Sequence, residues 1–536
     1  MRCGGTLLAV AAGMARTRST IHAGRRVDVP LGAGLLALLA PLTAALLWVS
    51  LAQLAALHRY PYPHDGLEGT LLHEARLLRA GEPLYGPLEP HRFISAPYPP
   101  LHTLALALAD LYRGPHIFWS GRLLSMLALA ATAVGVALLI RRCSGSWPAA
   151  LIGATLFVSA PPALLWGSRV KPDLMALAFT TWGLLLTARG LERSTRPSIL
   201  NERPFNTSLA LAAACFACAF FTKQTDVAGP LAAGLALLAD DLRAWRGLRS
   251  EGTPGQPARA RSPIRARTLG FAALYLALAL GGWALLDGLT SGGYTLHVWW
   301  NFQRTSWWSP GLFAKLVGLL AFWWPAVALA VTCVALAPVR RALTVPAAYA
   351  LVGPLTLLYA GEVGANHNHL LETHLALAIA AGCAVGYGAE ELIRRRRQAA
   401  LLVGLAGLQL WLAFSPPAWY EGQLAPSDPP ERFLAFMRAT PGEILADDTG
   451  LLLQASKPLR YDDPSTMGPA AASGLWDQRG LLQEIAARRF SAIMIPVNAA
   501  ETTLDPSGRW TPEMLSAIRE HYELAYRDRI YTFVPK

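Results

Sequence analysis

The sequence predicts an α-helical, polytopic membrane protein that ends in a small soluble α/β domain. Three observations carry that reading. Of 536 residues, 53% are hydrophobic and only 15% charged, with a mean hydropathy of +0.33. Eleven apolar runs between residues 30 and 415 each approach the ~20 residues that a bilayer needs. After Phe414 the apolar runs stop, and short alternating segments take their place.

The first 29 residues hold five arginines and no lysine, which suits a cytoplasmic amino terminus. The first run, Pro30–Leu57, is long enough to span. Ten more follow, at 118–140, 148–166, 172–188, 207–222, 225–239, 269–287, 312–337, 344–360, 374–392 and 399–415. If they alternate, almost every basic cluster falls on one side: Arg141-Arg142, Arg189 to Arg203, seven arginines from Arg243 to Arg267, Arg340-Arg341 and Arg394–Arg397. The positive-inside rule then places the chain in the cell membrane with its carboxyl terminus outside. The +12 net charge belongs to this membrane part. Residues 1–415 carry 35 Lys+Arg against 19 Asp+Glu, whereas residues 416–536 carry 12 against 16. A nucleic-acid partner is therefore not implied, and the Gly/Pro/Ser/Arg stretch at 243–268 reads as a cytoplasmic linker.

The six cysteines lie in apolar runs or in loops assigned to the inside, so no structural disulfide is expected. Cys215 and Cys218 form a C-x-x-C within an apolar helix, where small packing residues explain them better than a metal site.

Between the first two runs lies a polar loop, residues 58–117. Asp65 and Glu68 stand three apart where Leu67, Leu71, Leu72, Ala75 and Leu78 set a helical period, so both fall near one face of a first turn. Gly81 is a stop for that helix, and Pro99-Pro100 restart the chain into apolar sequence. The competing structural reading is a helix-capping Asp65 with Glu68 in the first turn.

The soluble part, residues 416–536, begins at Pro416-Pro417. A helix is predicted near 430–439, strands at 443–447 and 451–455, a helix near 479–489, a strand at 491–497 and a helix at 511–521. Strands ELAYR and IYTFV close the chain. About 120 residues suffice for a core of their own.

The acidic pair, followed by A-x-x-L-x-x-G-E-P-L-Y and Y-P-P-L, resembles the first outer loop of C-type-fold membrane glycosyltransferases. These are the polyprenyl-phosphate-sugar-dependent enzymes of the protein mannosyltransferase and aminoarabinose transferase kind, including bacterial family 39-like members. The tail segment ADDTGLLLQASKPLRYDDP resembles tails of bacterial members. The resemblance implies transfer of a hexosyl or pentosyl group on the outer membrane face, with a loop carboxylate as catalytic base. Many members read Asp-Glu consecutively, so Asp65 and Glu68 both stand as candidates. Members also carry R-x-x-x-P-D and T-K turns, which implicates Arg169 or Lys171, beside Asp173, and Lys223 in holding the donor phosphate.

Displacement at an anomeric carbon needs a base, a cationic nest for the departing phosphate and a groove for the lipid. The other polar residues at the predicted outer span ends are Arg304, in a loop rich in tryptophan, and Asn366, His367, His369 and Glu372 in the stretch GEVGANHNHLLETH. They are expected to bind phosphate or orient the sugar, against the plainer reading that basic span ends snorkel and the tryptophans form an interfacial belt. Ten of the twelve histidines lie between His58 and His374, so a divalent metal near Asp65 is conceivable, although no spacing matches a metal motif. The partners expected are a lipid-linked donor and a lipid, protein or glycan acceptor. The alternative is a transporter or flippase of lipid-linked glycans, but that class places its charges near the bilayer midplane, often within an inverted repeat.

Overall fold

The computed structural model describes residues 38–193, 206–250, 266–301, 308–337, 344–362, 365–391, 396–424, 429–496 and 508–536. Each of the eleven apolar runs contains helix. Among the described residues, six helices are long and apolar enough to cross a membrane: Ala40–Arg59, Trp119–Ser144, Asp173–Leu191, Arg267–Leu289, Pro310–Leu336 and His367–Gly388. A seventh is the pair Trp147–Val158 and Pro161–Gly167, bent by 67°. The bend follows from Pro161-Pro162, which remove two amide donors and clash with the preceding turn. Thr207–Thr222, Val345–Gly361 and Gln398–Leu412 are apolar but shorter. Length and composition thus single out fewer spans than the eleven expected. Most of the basic loops used for the topology argument, including 194–205 and 251–265, lie outside the described residues.

The helix Leu371–Glu391 is the axis of the bundle, and its apolar window is wholly buried. Its sequence LALAIAAGCAVGYG explains why. A Cβ on Gly386 would meet Ser144 Oγ at 2.5 Å, and one on Gly382 would meet Ile140 Cδ1 at 2.6 Å. Without a hydrophobic drive between helices in lipid, such close approach is what packs them. By contrast, the helix Ala266–Leu289 is mostly exposed and presents leucines outward, as a lipid-facing helix does.

The carboxyl-terminal part builds a four-stranded sheet. Its strands are β1 (Ile444–Ala446), β2 (Ala492–Pro496), β3 (Tyr522–Arg527) and β4 (Ile530–Pro535), in the order β1-β2-β4-β3. The β1–β2 pair is parallel; β2–β4 and β3–β4 are antiparallel. One expected strand is a helix. Residues 451–455 fall in Thr449–Gln454, because Asp448 caps the Leu451 amide at 3.0 Å and leucine favours helix as readily as strand. The helix Pro464–Ala472 was also not anticipated.

This domain is seated on the first loop. The loop helix Gly66–Arg79 crosses Thr449–Gln454 at two glycines, and a Cβ on Gly69 would lie 2.2 Å from the Gly450 amide. Further along, the Phe93 amide donates to the Arg460 carbonyl (2.8 Å) and the Asp462 amide donates back to Phe93 (3.0 Å). The Phe93 ring is buried in the core of the sheet domain. Chain segments about 370 residues apart in sequence therefore form one wall.

Candidate functional site

The two loop carboxylates have different surroundings. Asp65 is the cap of the loop helix, in extended conformation, and accepts from the Glu68 amide at 3.2 Å. Glu68 itself is fully buried. Oε1 accepts from Arg122 Nε (2.9 Å) and the Val170 amide (2.9 Å), and Oε2 accepts from Arg122 Nη2 (2.8 Å) and the His64 amide (2.6 Å). Arg122 is buried too, and its remaining donors reach the carbonyls of Tyr60 and Tyr62. Burial works to raise the Glu68 pKa, but the Arg122 guanidinium and these hydrogen bonds hold it well below the usual carboxylate range. A carboxylate with four donors and no exposed surface is a brace and has no place for an incoming proton. Of the two candidates, Glu68 is spent on structure.

Asp65 keeps 29% of its side chain exposed. Arg169 Nη1 lies 3.3 Å from Oδ2 and Lys171 Nζ lies 3.1 Å from Oδ1. Both cations come from the turn between the bent pair and the helix Asp173–Arg193. Arg169 is laid over the Trp166 ring with its guanidinium carbon 5.4 Å from the centroid. The turn is thus a rigid mount for two cations directed at one carboxylate.

A second group lies deeper in the bundle. Lys223, at the end of Thr207–Thr222, pairs with Asp173 Oδ1, which also accepts from Asn368 Nδ2 at 3.2 Å. With Asp226, Thr356, Tyr359, His369 and Glu372 they line a cleft. Asp226 accepts from the Thr180 hydroxyl (2.6 Å), and Glu372 from the Tyr349 hydroxyl (3.1 Å). Asp173, Lys223, His369 and Glu372 are therefore brought together as a set. Asn366 and His367 do not line that cleft: Asn366 Oδ1 accepts from the His367 amide at 2.8 Å, and the His367 ring packs on Tyr420. Arg304 lies outside the described residues. Among the described residues, no group of three or more His, Cys, Asp or Glu is placed to hold a metal ion.

The segment Ser95–Tyr98, which leads into the Pro99-Pro100 turn, is anchored from several sides. The Ser95 amide donates to Asp462 (2.9 Å), the Ala96 amide to Glu74 (3.1 Å) and Gln224 Nε2 to the Pro97 carbonyl (3.0 Å). A ring nitrogen of His297 lies 2.9 Å from the Ser95 carbonyl. Ala96 is held at φ +36°, a strained value that these bonds sustain. Burial, and the nearby carboxylates of Asp173, Asp463 and Asp65, push the Tyr98 phenol well above its ordinary pKa. Tyr98 and Arg122 stand beside the candidate carboxylates, and sequence reasoning passed over both. Arg122 had left a signal, as an arginine in the first turn of an apolar run.

Comparison with known proteins bears on this arrangement. Residues 98–251 match the family described as dolichyl-phosphate-mannose-protein mannosyltransferase. No curated protein matches the chain. Among solved structures, ArnT from Cupriavidus metallidurans bound to undecaprenyl phosphate is similar at 14% identity and a TM-score of 0.56, covering 94% of this chain and 98% of that one. The archaeal oligosaccharyltransferase AglB from Archaeoglobus fulgidus, in complex with an inhibitory peptide and a dolichol-phosphate, is similar at 12% identity and a TM-score of 0.55. That match covers 92% of this chain and 74% of AglB. By its architecture, then, the chain is a polytopic membrane protein of the C-type glycosyltransferase fold, and its residues 98–251 are similar to the protein mannosyltransferase family.

Proposed function

We propose that the protein is a membrane glycosyltransferase that moves a sugar from a polyprenyl-phosphate carrier to an acceptor hydroxyl, with Asp65 as general base. The observation that carries this reading is the pairing of an accessible carboxylate with two mounted cations, in a fold whose solved neighbours include ArnT bound to undecaprenyl phosphate and AglB in complex with a dolichol-phosphate. In the reaction the acceptor oxygen gives its proton to Asp65 and attacks the anomeric carbon. The bond from that carbon to the phosphate oxygen breaks, and the lipid phosphate leaves. Arg169 and Lys171 supply N–H donors to the phosphate, which competes with Asp65 for them and so frees the carboxylate. Lys223, His369 and Glu372 are proposed to hold the far side of the donor, and the loop and sheet domain to face the cell exterior.

The test is incubation of membranes containing the protein with labelled polyprenyl-phosphate sugars and an extract of acceptors. Transfer of label that depends on Asp65 is expected. A reporter fused at Pro417 should read an extracytoplasmic position, and a cytoplasmic reading would overturn the orientation.

A further inference from the structure

A second cleft lies on the sheet-domain side of the loop helix. It is lined by Gly66, Met437, Ala446, Asp447, Asp448, Met494, Pro496 and Ile530. Its position follows from the topology. Ala446 and Pro496 are the last residues of β1 and β2, the parallel pair, and open α/β sheets bind ligands in the crevice outside the carboxyl ends of such strands. Gly66 is the residue after Asp65, and a Cβ there would touch the Asp447 carbonyl at 3.3 Å, so the cap of the loop helix forms part of the cleft wall.

The lining is specific in character. Met437, Met494, Pro496 and Ile530 give apolar lining; Asp447 and Asp448 are its acidic residues, Asp448 with one oxygen accepting from the Leu451 amide at 3.0 Å. Arg509, the basic residue against Asp447, is already paired with it at 3.2 Å, and Trp510 Nε1 donates to the same carboxylate at 3.2 Å. The cations bonded to Asp65 do not line this cleft. Two cations suited to an anionic donor thus bond Asp65, whereas the cleft beside the next residue, Gly66, is part apolar and has no cation among its lining residues. A sugar ring matches the second lining, since its C–H face lies on apolar side chains while its hydroxyls donate to carboxylates.

We propose that this cleft binds a neutral, polyhydroxylated group and is the acceptor site, directing a sugar hydroxyl toward Asp65. The binding claim stands on the cleft itself; the acceptor role rests on the proposed transferase reading. Burial, with the neighbouring carboxylates of Asp447 and Asp65, pushes the Asp448 carboxyl up to about 7, which favours a site for uncharged hydroxyls over one for anions.

The experiment is ligand-observed NMR on the purified full-length protein, with methyl α-D-mannopyranoside as probe and glucuronate as its anionic counterpart. The glycoside should bind and glucuronate should bind at least tenfold more weakly. Ile530→Trp, at the partly exposed rim, should weaken glycoside binding at least tenfold. Asp448→Asn, which keeps a capping residue, should weaken it about threefold without changing the unfolding temperature. That second variant decides the matter if Ile530→Trp folds poorly. Equal glycoside binding by the parent protein and Asp448→Asn, or equal binding of glucuronate, would overturn the site. Glycoside binding in a protein whose membranes transfer no sugar would keep the site and overturn the acceptor role. Transfer without glycoside binding would overturn this inference alone.

Discussion

The socket of Glu68 and the mouth that holds Asp65 lie one helical turn apart, yet they use the same chemistry for opposite ends. Each places a carboxylate against arginine. At Glu68 the guanidinium and two amides saturate both oxygens in a fully buried setting, so the charge is locked. At Asp65 the cations meet a partly exposed carboxylate, where solvent, and in the proposed reaction the donor phosphate, can exchange with them. The difference teaches that an ion pair marks a site when its partners can be traded, and a scaffold when they cannot.

The largest expected effect falls on the mouth. Asp65→Asn should lower transfer about 10²- to 10⁴-fold, the usual contribution of a general base, while the helix keeps its cap and the protein its folding. If Asp65→Asn transfers at the parental rate and Glu68→Gln does not, the assignment is reversed. In the socket, Glu68→Ala should cost about 3–5 kcal/mol of stability, since it strands the buried Arg122 charge. The readout is thermal unfolding in detergent, and a change in transfer rate without loss of folded protein would contradict the bracing role.

A smaller effect is expected at the cations. Lys171→Ala and Lys223→Ala should each weaken binding of a polyprenyl phosphate by about ten- to a hundredfold, in line with the roughly 1.5–3 kcal/mol of a charge-assisted contact. Unchanged affinity in both, measured by titration of purified protein, would remove the phosphate site.

The least effect concerns pH and the seating of the sheet domain. Glu74 is buried against Asp462 and Asp463, and burial with the Asp463 charge raises its carboxyl to about 8 from 4.5. A raised carboxyl stabilises the fold fully below pH 4.5 and loses that contribution as pH rises through about 8. The unfolding temperature should therefore fall between those values, and Glu74→Gln should flatten the fall. A Glu74→Gln protein with the parental pH slope would show that other groups set it.

Much of this was legible in the sequence. Apolar runs disclosed the membrane class because lipid demands long stretches without unpaired backbone, and the period of Leu67, Leu71 and Leu78 disclosed the loop helix that Asp65 caps. The set of Asp173 and Lys223 was reachable from turns placed at one predicted membrane face. Asn366 and His367 were drawn toward the cleft by the same reasoning, but a local cap and an aromatic contact take them elsewhere. The run at 451–455 was misread as strand because a short apolar segment has no period to separate strand from helix.

By itself the sequence determined that the apolar runs would contain helix, where the polar loop would stand between them, and that two acids would share its first turn. Tertiary structure decided which acid remained available. Arg122, more than fifty residues along the chain, reaches Glu68, and Asp447 and Asp448, nearly four hundred residues along, arrive beside Gly66. Local periodicity records only what neighbours within a turn can do for one another. Saturation of a carboxylate, and the wall of a cleft, depend on groups that meet only when distant segments pack.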